Sequence, residues 1–296
     1  MSVSAGRAAL VIVIFISASP RETLAQDLDR FRVGYGVDLD FANRYVWRGI
    51  TRTNGPVLQP QAHAELLFGG CGLSAGVWGN DELGNSGVAE ASDFAPGVHG
   101  VGEVDYWLQY SRSSYGIDWA LGGLRYDFNG RVPGTTLPRK STTELYGRIQ
   151  LSRRYLSPTI SLWQDVDQVK GAFLDGSLTV PVFANPLRLP FIAIYLSLSG
   201  GASLGQERKQ SDTTAAYNFL RRGFTSADLA LGTRVVIPTP AGALRARLDA
   251  HQQFSRDPLT RHVRRELSDR PHKGRLWVSL QLGWGFAGGA SGTTYE

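Results

Sequence analysis

Two-residue alternation of apolar and polar side chains recurs along most of this chain, and it constrains the fold more than any other feature. Val33, Tyr35, Val37, Leu39 and Phe41 alternate with Gly34, Gly36, Asp38 and Asp40. Pro60, Ala62, Ala64, Leu66 and Phe68 alternate with Gln59, Gln61, His63 and Glu65, and Leu276, Val278, Leu280, Leu282 and Trp284 form the last run. Successive side chains of a strand point to opposite faces, so each run has one apolar and one polar face. About 12 such runs follow one another. They are joined alternately by longer polar loops, near Thr51, Asn80, Asn129, Asp165, Gly205 and Arg256, and by short turns near Cys71, Ser113, Tyr155, Ala184 and Thr239.

A β-sandwich with a polar outer face would also alternate, but it accounts poorly for this loop asymmetry and for runs of bilayer-crossing length. The sequence is therefore read as all-β: a transmembrane antiparallel up-and-down β-barrel of about 12 strands, with the short turns inside and the longer loops outside. Closure is required because an open sheet edge would leave backbone groups without partners in hydrocarbon. The mean hydropathy of -0.16 is far below that of a helical membrane protein. A barrel gives such a value because every apolar residue is followed by a polar one. A change of phase at Gly122-Gly123 is expected to mark a bulge or bend.

The N-terminus has the pattern of an export signal. Arg7 precedes an apolar run from Ala8 to Ala18, too short to span a bilayer as a helix, and Thr23 and Ala25 supply small residues for cleavage. Residues 1–25 are read as a signal peptide, 26–286 as the barrel and 287–296 as a C-terminal tail. The expected location is the bacterial outer membrane, with lipid and lipopolysaccharide as the surrounding partners. The net charge of +5 is dispersed apart from a basic group within residues 256–275, so no nucleic-acid partner is expected. Cys71 is the only cysteine, which excludes an intramolecular disulfide.

Two constellations invite a functional reading. The first is Asn43-Arg44-Tyr45-Val46-Trp47-Arg48-Gly49-Ile50. Tyr45 and Trp47 continue the phase of Leu39 and Phe41, so they are expected as lipid-facing girdle residues at the outer rim. Arg44 and Arg48 are then expected to face inward or upward at the pore mouth, with Gly49 ending the motif. One difficulty is that residues 33–47 exceed the roughly 9–11 residues a strand needs to cross a bilayer. Either the strand runs on past the membrane or a bulge near Ala42-Asn43 resets its facing.

The second is a set of charges on the polar phase. The acidic members, Asp38, Asp40, Glu65, Glu103, Asp105 and Asp118, fall early, and the basic ones, Arg148, Arg234, Arg245 and Arg247, fall late. In a closed barrel they would face one another across the interior. That arrangement either selects small polar or charged solutes or pairs internally and fills a narrow lumen.

No catalytic, cofactor or metal site is legible. His63 and His251 are the only histidines on strands, and a rim hydrolase would need one of them beside a serine. His99, His262 and His272 lie in loops without ligand spacing.

The residues Tyr45-Val46-Trp47-Arg48-Gly49-Ile50-Thr51, then Pro56-Val57-Leu58-Gln59, and then Leu73-Ser74-Ala75-Gly76-Val77-Trp78-Gly79-Asn80 resemble signatures of the Gcw-chp family of proteobacterial outer-membrane proteins of unknown function. Glu103-Val104-Asp105-Tyr106 and Thr143-Glu144-Leu145-Tyr146 fit later blocks, and Ser161-Leu162-Trp163-Gln164-Asp165 fits more weakly. Asn43 stands where a serine is expected, and Pro60 where a glycine is. The resemblance implies an exported barrel of about this size and supplies no reaction. The functional expectation is a porin-like barrel, a passive channel for small polar or charged solutes and not an enzyme. The alternative is a structural or adhesive barrel with an occluded lumen and ligand-binding outer loops.

Overall fold

The computed structural model describes residues 31–53, 55–84, 100–129, 141–151, 156–168, 170–184, 192–206, 222–255 and 275–287. The expected signal peptide, the basic group at 256–274, the three loop histidines and the tail after 287 lie outside the described residues.

The strands are β1 (Arg32–Ala42), β2 (Tyr45–Trp47), β3 (Ile50–Thr53), β4 (Val57–Phe68), β5 (Cys71–Glu82), β6 (Gly100–Ser114) and β7 (Ile117–Phe128). They continue with β8 (Thr142–Leu151), β9 (Ser157–Asp165), β10 (Gly171–Ala184), β11 (Ile192–Gln206), β12 (Gly223–Thr239), β13 (Gly242–Ser255) and β14 (Arg275–Ala287). Twelve of them close into one antiparallel barrel in which each wall strand pairs with its neighbours in sequence and β14 pairs with β1. β2 and β3 form a separate two-stranded hairpin. The barrel and its strand parity are as the alternation implied.

The apolar phase faces outward on nearly every wall strand. Val37, Leu39, Leu108, Ile149, Leu231 and Leu248 are between 42 and 56% exposed, spread around the whole wall. Exposed side chains of this size in a continuous belt are what a hydrocarbon environment covers. Aromatic pairs gather toward the short-turn end: Tyr35 lies 5.5 Å from Trp284, and Tyr110 5.4 Å from Trp119. Rings at that level suit the bilayer interface. Replacing Leu39 with arginine should therefore destabilise the folded barrel in lipid by about 2–4 kcal/mol. Urea titration in vesicles would measure it, and an effect below about 0.5 kcal/mol would place Leu39 in water.

Inward glycines make room for large side chains that lie flat on the wall. A Cβ on Gly122 would meet the Tyr146 ring, and one on Gly201 would meet Phe173. The expected bulge at Gly122-Gly123 is absent. Gln109 pairs with Gly122 and Leu108 with Gly123 in unbroken register. The phase of hydrophobicity changes there because Leu124 lines the interior, while the next residue, Arg125, is half exposed and pairs with Asp127 at 3.0 Å.

Candidate functional site: a hairpin folded into the lumen

The chain leaves the wall at Ala42. Asn43 ties the exit to β14 with two bonds: its N–H donates to the Val278 carbonyl at 3.1 Å, and its side-chain oxygen accepts from the Val278 N–H at 3.0 Å. The polypeptide then turns inward. Trp47 pairs with Ile50 across a two-residue turn in which Arg48 and Gly49 both have positive φ, 46° and 83°. Two successive left-handed residues are the signature of the tightest hairpin turn. Glycine suits the second position, and an arginine at the first is uncommon enough to require compensation.

The surroundings of Arg48 supply that compensation. Its two terminal nitrogens donate to the two carboxylate oxygens of Glu144 on β8, each at 2.7 Å. Tyr126 on β7 donates to the same carboxylate at 2.9 Å. The guanidinium lies 4.7 Å from the Trp47 ring, 5.0 Å from that of Trp163 on β9 and 4.8 Å from that of Phe173 on β10. Planar stacking and a bidentate fork are geometries that arginine satisfies and lysine does not. Burial alone would lower the guanidinium's pKa. The Glu144 carboxylate outweighs it and holds the group above its ordinary value, so Arg48 stays charged.

The rest of the hairpin is sealed in the same way. Tyr45 is buried against Trp78, 5.6 Å between ring centres. Trp47 sits 6.1 Å from Tyr126 in an edge-on contact. Thr53 donates to Glu82 at 2.8 Å, and Arg52 lies 4.0 Å from Glu103. Gly49 reaches the inner face of β12, three strands round the wall from β1, where an added Cβ would collide with Ser226. Fully or nearly buried polar side chains, Asn80, Glu103, Thr142, Ser203 and Gln253 among them, surround the hairpin on wall strands from β5 to β13.

This corrects the sequence reading of the motif. Tyr45 and Trp47 are not lipid-facing girdle residues. They point into the barrel, because the strand ends at Ala42 instead of running on or bulging. Arg48 does face inward, but as a clamp buried beneath the mouth.

Below the hairpin lies a chamber of about 850 Å³. Its ceiling includes Val46, Arg48 and Gly49, and it extends to Gln150 and Arg234 near the short-turn end. Asp38, Asp40, Asp105, Arg148, Arg234 and Arg247 line it. Glu65 and Asp118 sit lower on the inner wall. Asp118 accepts from Ser113, while Glu65 would touch a Cβ placed on Gly34. Glu103 lies at hairpin level beside Arg52. Early acids and late bases do meet, though as neighbours and not across a gap. Arg245 donates to Asp38 at 3.1 Å although the two are 207 positions apart in sequence. Closure of β14 onto β1 brings them together. Arg247 pairs with Asp249, which also accepts from Tyr195.

Of the strand histidines, His251 bonds Asp228 at 2.7 Å and stacks on Trp277, and His63 packs near Trp107. Among the described residues no group of His, Cys, Asp and Glu is gathered as a metal site. Sequence reasoning missed Trp163, Phe173 and Glu144 as partners of Arg48. Only the Arg-Gly pair at the end of an over-long strand hinted at a turn there.

No protein-family model matches the chain, and no curated protein does. Solved structures do. The COG4313 outer membrane channel from Pseudomonas putida F1 superposes with a TM-score of 0.51 over 86% of this chain and 95% of that one, at 10% identity. The translocator domain of the autotransporter NalP from Neisseria meningitidis gives 0.42 over 86% and 88%, at 8% identity. The outer membrane protein OprD from Pseudomonas aeruginosa gives 0.34 over 87% and 93%, also at 8%. The first likeness is one of fold: a closed barrel of the outer-membrane kind. The two looser ones carry no weight.

Proposed function

We propose that this protein is an exported outer-membrane barrel that passes small polar or charged solutes, held shut in the observed state by the inward hairpin. One observation carries this reading. The interior is not filled with side chains throughout: it holds a polar chamber of about 850 Å³, separated from the long-loop end by a segment that is no part of the wall. A barrel built only for strength would fill its core. A hairpin that contributes no strand to the wall can leave without breaking a wall strand's backbone ladder. The P. putida neighbour, described as a channel, agrees with this reading at the level of fold. We further assign the chain to the Gcw-chp family on the motif now seen to build the hairpin.

The purified barrel in planar bilayers should show rare, brief openings over a mostly closed baseline. A folded protein that stays silent even after the hairpin is released would overturn the proposal. The second reading, a structural or adhesive barrel that meets lipopolysaccharide or another surface partner, is favoured by the burial of the Arg48–Glu144 pair, and that silent outcome would support it. We assign no catalytic role. A rim hydrolase would require His63→Ala or His251→Ala to abolish a measured lipase activity.

A further inference from the structure

We infer that the chamber beneath the hairpin receives small organic cations, solutes carrying a protonated amine. This rests on the solute-passage reading and names the class of solute.

Six aspartates line the chamber against four arginines. Two of the lining cations are held by carboxylates. Arg48 is held by Glu144, and Arg247 by Asp249. Arg245, just behind the wall's lining, is held by Asp38. The carboxylates are not all matched. Asp105 is only 7% exposed, and its Oδ1 is buried without a hydrogen-bond partner. Asp40 Oδ1 is in the same condition, and so is Asp228 Oδ1, whose other oxygen bonds His251. A buried carboxylate oxygen without a donor is unfavourable, and an ammonium group brings three donors together with the opposite charge.

His251 and Trp277 stack with ring centres 3.6 Å apart and 7° between planes, so the imidazole covers one indole face, and both line the chamber next to Asp228. An anionic solute would instead meet Arg48 and Arg247 already paired with Glu144 and Asp249, and it would have to displace those carboxylates to reach them.

The test compares two four-carbon probes, 1,4-diaminobutane and succinate, on the full-length folded barrel. Calorimetry in detergent measures binding, and radiolabelled uptake into proteoliposomes measures passage. Diaminobutane should bind at least about tenfold more tightly than succinate. Replacing Asp40 and Asp105 together (D40N, D105N) should reduce that ratio to near unity while heat-modifiable mobility is kept. If the double variant does not fold, D40N alone should lower the ratio several-fold. Equal binding of the two probes, tighter binding of succinate, or a preference that survives the substitutions would overturn the inference. The two readings fail separately. Aspartate-dependent diamine binding without any uptake would leave the site standing and remove the passage. Uptake of both probes at equal rates would do the reverse.

Discussion

Replacing Arg48 with alanine should convert a mostly closed barrel into one that conducts persistently, with mean current in planar bilayers rising at least several-fold over the unmodified protein. Among the hairpin contacts described above, the Arg48 fork is the shortest and carries charge on both sides. Its bidentate pair with Glu144 contributes roughly 1.5–3 kcal/mol, and the three ring contacts add about 0.5–1 kcal/mol each. The left-handed backbone at position 48 costs on the order of 1–3 kcal/mol, but alanine bears it equally, so it does not offset the loss. A net loss of about 3 kcal/mol from the closed state would move the closed-to-open ratio about 100-fold. Arg48→Lys keeps the charge but cannot form the fork or stack as a plane, so it should fall between the two. A folded Arg48→Ala barrel as silent as the original would mean that the hairpin stays in place without its clamp.

The second large effect is on stability. Glu144→Ala should destabilise the barrel by about 3–5 kcal/mol, because it leaves a buried guanidinium without its counter-charge. Both side chains of the pair are less than 10% exposed, so solvent screens the interaction little. Adding Arg48→Ala to Glu144→Ala should restore a good part of the loss, since the double variant buries neither charge. Urea unfolding of the four proteins in lipid vesicles gives the cycle directly. Additive losses would show that the two residues do not interact, against the two 2.7 Å bonds between them.

The wall was legible in the sequence because alternation reports facing, and facing is all that a barrel wall requires. Leu39 outward and Asp38 inward follow from period two alone. The hairpin was not legible, for a related reason. Tyr45 and Trp47 preserve the phase of Leu39 and Phe41, so the pattern resumes past Ala42 although the strand does not, with Asn43 on the apolar phase as its single break. Alternation distinguishes two faces without saying what each face meets. An aromatic residue next to an arginine reads equally well as a lipid girdle beside a charged mouth and as a ring stacked on a buried guanidinium. What separates the two lies far away in the chain: Glu144 is 96 positions from Arg48, and Trp163 and Phe173 are further still. The length of residues 33–47 was a true sign that something had to change near Ala42. The change is an exit from the wall, marked by Asn43 turning its side chain back onto Val278. The Asp38–Arg245 pair was hidden in the same way, since only closure makes the first and last wall strands neighbours.

The placement of the hairpin inside the lumen supports everything said of the gate and the chamber, and one cross-link tests it. Gly49 and Ser226 approach so closely that a Cβ on the glycine would overlap the serine side chain, although one belongs to the hairpin tip and the other to wall strand β12. In a Cys71→Ser background, Gly49→Cys and Ser226→Cys should form a disulfide under mild oxidation of the assembled barrel, detected by its shifted mobility and its reversal by reductant. The left-handed backbone costs a cysteine at position 49 about 1–2 kcal/mol, and the hairpin tip must back off from this Cβ overlap to the roughly 3.5–4.5 Å that a disulfide spans; closing so long a loop contributes about 4–5 kcal/mol in return. Two thiols that remain free and reactive in a folded, membrane-inserted barrel would contradict the inward hairpin.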